Sequence, residues 1–118
     1  MTVRVMALLA KHPDISREEF MEYYRTQHAV LIKQIADEIC GYERNFVVHT
    51  DVIRGSDAPE LDFDVVTIID YPNEEAYQAA LAKQQSPEGR KAIHEDELNL
   101  FDQSKLRYFR VDVQRSEF

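Results

Sequence analysis

The 118-residue sequence holds one cysteine, three glycines, four prolines and no tryptophan. A lone Cys40 excludes an intrachain disulfide and a cysteine-built zinc site. Gly41, Gly55 and Gly89 are too scattered to form a glycine-rich phosphate loop, which argues against nucleotide cofactors bound in that way. No apolar run approaches the roughly 18 residues that read as a membrane span. Cations are few: 14 Lys+Arg against 22 Asp+Glu give a net charge of −8, and such a surface repels nucleic-acid backbones. What is present, 44% hydrophobic and 10% aromatic residues, supports a real core in one domain over residues 1–118. Met1–Ala10 lacks a basic segment ahead of its apolar stretch, so it reads as a strand and not a signal peptide. The expectation is a soluble, cytoplasmic protein.

Val3 to Ala10 is a short buried strand, stopped at Pro13, which has no amide donor. Ser16-Arg17-Glu18-Glu19 is a capping box, and the helix after it carries Phe20, Tyr24, His28, Leu31 and Ile35 at helical spacing, running to about Ile39 with a bend near His28. Tyr42–Ile53 and Leu61–Asp70 are rich in β-branched and aromatic residues and read as strands flanking a turn at Gly55–Pro59. Asn73-Glu74-Glu75 opens a short helix, and Ser86-Pro87 opens another, with Ala92, Ile93, Leu100 and Phe101 on one side. Lys105–Val113 is the last strand. The order βαββαβ is that of an α+β, ferredoxin-like four-stranded antiparallel sheet. Its strands are apolar on both sides, Val65/Ile69 opposing Val66/Ile68, so the face without helices calls for a homodimer.

Four residues stand out chemically. His28 sits on the apolar side of the first helix, where an imidazole is either a general acid/base or a core side chain bonded to a carbonyl. Asp96 lies between Ile93 and Leu100 on the helical wheel, either orienting a catalytic imidazole or holding an amide or an arginine such as Arg107 or Arg110. Tyr24, one turn before His28, is a hydrogen-bond donor beside it. His49 on the second strand is a substrate-binding handle if its face lines an interior, and solvated otherwise. His12 and His94 read as surface residues, and Cys40 as a buried small hydrophobe. Asp62, Asp64 and Asp70 lack histidine or glutamate partners at ligand spacing, so no metal is expected, and they read as charges that limit edge pairing.

The stretch Ser16 to Leu31, with its acidic-Phe pair, aromatic, Arg25-Thr26 and His28-Ala29, resembles the signature of the EthD family. Ser86-Pro87-Glu88-Gly89-Arg90, Asp96-Glu97 and Phe101-Asp102 match that family in the right order, so the similarity covers nearly the whole chain. The resemblance implies a ferredoxin-like fold dimerising sheet to sheet into an α/β barrel. Relatives in that superfamily include polyketide cyclases and dehydratases, muconolactone isomerases and cofactor-independent monooxygenases, and the family is often filed under oxidoreductases. The family histidine falls on His28 and the acidic motif on Asp96 and Glu97, while Tyr24 stands where tryptophan is usual. The expected function is a cofactor-independent enzyme with His28 and Asp96 catalytic and Tyr24 and His49 contacting an apolar, oxygenated, cyclic or aromatic small molecule. Isomerisation, cyclisation with dehydration, or monooxygenation all fit. The alternative is a dimer that binds or carries such a molecule without turning it over.

Overall fold

A computed structural model describes residues Met1–Phe118. Strands β1 (Val3–Leu9), β2 (Gly41–Phe46), β3 (Val65–Tyr71) and β4 (Arg107–Val111) form one antiparallel sheet in the order β2-β3-β1-β4. Helices α1 (Arg17–Tyr23) and α2 (Ala29–Ile35) make one rod through a π-helical turn at Tyr24–His28, and α3 (Glu74–Gln85) and α4 (Pro87–Leu100) follow β3. This is the ferredoxin-like βαββαβ arrangement.

Local chemistry starts each helix. Ser16 Oγ accepts from the Glu19 amide at 3.1 Å while Glu19 accepts from the Ser16 amide, completing the capping box. Asn73 and Ser86 accept from the amides of Ala76 and Gly89, and Pro87 takes the first helical position, where its missing N–H costs nothing. Gly89 permits the close approach of α3 and α4, because a Cβ there would stand 2.2 Å from the Lys83 carbonyl oxygen. The Asn73 helix is longer than its sequence cue, at 12 residues.

One side of the sheet meets the helices. Val3, Ala7 and Leu9 of β1 and Val65, Thr67, Ile69 and Tyr71 of β3 are buried there, in the alternation the sequence carries. Met6, Leu8, Val66 and Ile68 face the other way, only half-buried, and Phe109 on that side is exposed.

Several boundaries differ from the sequence reading. β2 stops at Phe46 rather than Ile53, and β3 starts at Val65 rather than Leu61. Residue Asp64 shows why: its amide donates to the Leu9 carbonyl and its carboxylate accepts from the Lys11 amide, at the point where β1 runs out. Beyond it β3 has no neighbour, and β2 then has none either. Strand propensity in Val48 and Ile53 is spent on exposed loop, since a strand exists only against a partner ladder. β3 is also an inner strand, so its aspartates do not guard an edge. Asp70 instead pairs with Arg4 at 2.8 Å across the β1/β3 register, and Asp62 pairs with Arg107. The first rod ends at Ile35, four residues early, where Lys33 Nζ donates to the carbonyls of Asp37 and Ile39. Cys40 is exposed, not buried, because it sits on the turn between that rod and β2.

Candidate active site

The buried positions of the first rod are Phe20, Tyr24, His28, Ile32 and Ala36, a strict four-residue repeat. An α-helix with 3.6 residues per turn drifts about 40° over each four-residue step, so such a repeat would wind off the core. The π turn absorbs the drift: the Ala29 amide donates to the Tyr24 carbonyl, a wider loop that takes in one extra residue. The consequence is a one-residue phase shift after His28. Ile32 and Ala36 are buried where the sequence pattern points to Leu31 and Ile35, which are only half-buried. The same wide turn brings Tyr24 and His28 onto one side, with ring centroids 5.5 Å apart.

The helix-facing core falls into two clusters, one around Val3, Ile32, Ile69 and Tyr71, the other around Leu9, Phe20, Tyr24 and Phe101. Between them lies a cavity of about 1270 Å³. Its floor is the sheet at Val5, Ala7, Thr67 and Ile69, mostly small side chains that leave space beneath the helices. That volume is ample for a small molecule.

His28 lines this cavity and is 2% exposed. Its Nδ1 lies 2.8 Å from Asp96 Oδ2 on α4, and the other Asp96 oxygen accepts the Tyr23 hydroxyl at 2.5 Å. A carboxylate oxygen accepts, so Nδ1 is the donor in this contact and Nε2 takes no part in it. No protein group bonds Nε2, and it is not among the buried atoms lacking a partner, of which there is one, Glu38 Oε1. Of the two sequence readings of Asp96, the contact with the imidazole is the one present; Arg107 and Arg110 pair instead with Asp62 and Glu74.

Tyrosines line the same cavity. Tyr24 Oη is 2.7 Å from Thr67 Oγ1 and 3.1 Å from Tyr42 Oη. Burial pushes the phenol of Tyr24 up and that of Tyr42 well above its ordinary value, although Arg44, stacked 5.5 Å over the Tyr24 ring, works the other way. Tyr108 is 49% exposed as a residue, but its hydroxyl donates to the buried Glu97 at 2.6 Å, and its phenol is pushed up by desolvation at that end and by the Glu97 charge. These phenols stay protonated; Tyr108 donates to Glu97, and in the Thr67–Tyr24–Tyr42 chain either oxygen of each pair can be the donor.

Sequence reasoning did not reach Tyr42, Thr67 and Tyr108. Thr67, the one polar residue in an alternating apolar face, was the available signal. His49 lies elsewhere: it is exposed on the 47–64 loop, with Nε2 2.8 Å from Asp64, because β2 ends before reaching it. His94 is exposed, as expected of a surface residue, and also borders the cavity.

Comparison with known proteins fits this picture. The EthD domain profile matches residues 12–104. The chain is 24% identical to an ethyl tert-butyl ether D (EthD) family protein of Bacillus halodurans C-125, over 97% of this chain and 100% of that one, with a TM-score of 0.63. A hydroxynitrile lyase from Passiflora edulis shares the fold at a TM-score of 0.65 and 12% identity, over 98% and 96% of the two chains. A dimeric ferredoxin-like protein of unknown function from Thermobifida fusca YX does so at 0.59 and 16%, over 96% and 92%. No curated protein matches in sequence. With the profile running from the His12 turn, through the π turn that carries His28, to Ser104 beyond the Asp96 helix, the chain belongs to the EthD domain family.

Proposed function

We propose that the protein is a homodimeric, cofactor-independent enzyme in which His28 is the general acid/base for an apolar, oxygenated, cyclic or aromatic small molecule. The observation that carries this reading is the imidazole itself: held by Asp96 at Nδ1 and unpartnered at Nε2, against a cavity. Nε2 takes a proton from a carbon beside the substrate carbonyl, giving an imidazolium beside Asp96 and an enolate. A tyrosine hydroxyl, Tyr24 foremost, donates to the enolate oxygen. Return of the proton to a different carbon is an isomerisation; attack of the enolate on a second carbonyl, followed by loss of water, is a cyclisation; reaction with dioxygen as co-substrate is the oxygenase variant. A fold that houses a lyase in Passiflora edulis can accommodate such chemistry.

The test is proton exchange. A panel of cyclic ketones in D2O, followed by NMR, is expected to include members that exchange their α-hydrogens with the native protein. His28→Ala is expected to slow exchange by about 10²–10⁴-fold with binding retained, the range a positioned acid/base contributes. Binding without exchange, equal in the native protein and in His28→Ala, would instead identify the non-catalytic carrier. The cavity supports either reading over a dimer with a filled core.

Assembly belongs to the same proposal. The sheet face bearing Met6, Leu8, Val66, Ile68 and Phe109 is the surface for a second copy, and dimeric proteins share this fold. Sedimentation at micromolar concentration is expected to give a dimer; a monomer would remove the barrel.

A further inference from the structure

The cavity wall inverts the charge of the chain. The whole sequence carries 22 acidic against 14 basic residues, yet the 23 residues lining the cavity include Arg90, Lys91 and Arg110 and a single carboxylate, Glu97. The three cations are not equivalent. Arg110 is already engaged, paired with Glu74 at 2.8 Å and stacked on the Tyr77 ring. Arg90 and Lys91, exposed on the N-terminal half of α4 beside His94, make no salt bridge and no side-chain hydrogen bond. Two free cations at the mouth of a tyrosine-walled cavity, in an acidic protein, are an anion receptor in search of its anion.

We infer that the substrate of this cavity bears a carboxylate, received at the mouth by Arg90 and Lys91, with its apolar ring body running inward to His28. The inference rests on the proposed use of the cavity and adds the substrate class. Helix α4 supplies the scale. Arg90 precedes Asp96, the anchor of His28, by six residues, about 9 Å along the helix axis. The cations and the anchor of His28 are therefore set apart along α4, with room between them for an apolar body. Polarity along α4 also fixes the direction of entry. Glu97 is one residue beyond Asp96 at the inner end, buried and holding Tyr108, so a carboxylate entering first would meet a like charge in a desolvated place. Carboxylate outward and carbonyl inward is the arrangement both ends favour.

The experiment compares biphenyl-4-carboxylate with its neutral isostere biphenyl-4-carboxamide, by calorimetry and by the NMR signals of the His28 ring. Both are expected to shift those signals, with the carboxylate binding at least tenfold more tightly and weakening when NaCl rises from about 50 to 500 mM. Arg90→Gln/Lys91→Gln, a surface substitution away from the His28 and Asp96 pair, is expected to bring the carboxylate down to the affinity of the amide and to leave the amide unchanged. Equal binding of the two probes to the native protein, or a double variant that weakens both alike, would overturn the carboxylate assignment while leaving the cavity reading standing. Failure of both probes to bind or to perturb His28 would overturn the cavity reading itself, and this inference with it.

Discussion

At the scale of single residues, Asp96 is the pivot of the candidate site, because one carboxylate satisfies two donors, the buried His28 and the half-buried Tyr23. Its oxygens accept Tyr23 Oη and His28 Nδ1 separately, so removing it strands both. Asp96→Ala is expected to destabilise the fold by about 1–3 kcal/mol, the cost of leaving a buried donor at His28 unpaired, read from urea unfolding. Asp96→Asn offers a subtler test. The amide can accept from only one of the two donors, and its own N–H₂ then competes for the imidazole lone pair, favouring the other tautomer. The ¹⁵N-coupled ring proton of His28 is expected at Nδ1 in the native protein and lost or moved to Nε2 in Asp96→Asn, with catalytic exchange falling alongside. His28 and Asp96 were legible in the sequence as a histidine and an acid out of place on apolar helix faces. Their partnership was not, since it joins positions 68 residues apart.

At the scale of elements, the π turn and the α3–α4 corner decide where the site residues point. The extra residue in Tyr24–His28 is what keeps a four-residue repeat of buried side chains on one side. Deleting Gln27 is expected to restore regular α-helical phase and to pull His28 away from Asp96, so that the protein folds with its helix content retained but shows no Nδ1–Asp96 ring proton. The apolar spacing in the sequence gives the helix correctly and misplaces its second half by one residue, because periodicity assumes a uniform 3.6 and a π turn has no local sequence mark. Gly89 makes the corner between α3 and α4 possible. Gly89→Ala is expected to lower stability by about 1–3 kcal/mol, visible as a reduced urea midpoint, since the added methyl meets backbone and not a side chain that can move. Strand ends follow a similar logic: residues 47–53 have the composition of a strand, but β3 and β1 offer them no ladder.

At the scale of the whole molecule, tyrosine ionisation links the cavity to stability. Five of the six tyrosines, Tyr23, Tyr24, Tyr42, Tyr71 and Tyr108, have phenols raised above the ordinary value near 10, Tyr23 chiefly by the Asp96 hydrogen bond and the others by burial. A phenol whose pKa is raised on folding holds its proton in the native state when the unfolded chain has lost it. Below about pH 10 both states are protonated and pH has no effect through these groups; above it the unfolded state is favoured progressively. Stability is therefore expected to fall as pH rises past about 10, with tyrosinate absorbance near 295 nm appearing together with unfolding rather than before it. Tyr42→Phe and Tyr108→Phe, whose phenols are the most raised, should each flatten that fall. The open sheet face belongs to this scale as well. Ile68→Lys places a charge at its centre and is expected to convert the sedimenting dimer to monomer without disturbing the His28 ring signals, which lie on the opposite side of the sheet.

The sequence by itself determined the element order, the capping residues that begin each helix, the alternation that makes a two-faced sheet, and the family. All of these are short-range or composition-level properties: a hydroxyl three residues from an amide, a side chain two residues from its neighbour, a motif of a dozen positions. Tertiary structure alone decided the rest. It joined His28 to Asp96, set Tyr24 on Thr67, drew Tyr108 to Glu97, left His49 on an exposed loop and brought Arg90 and Lys91 to the mouth of a cavity. Those relations depend on which strand lies beside which and on how far a helix has turned when it crosses the sheet. They are fixed by packing between distant segments, where no local pattern in the chain records them.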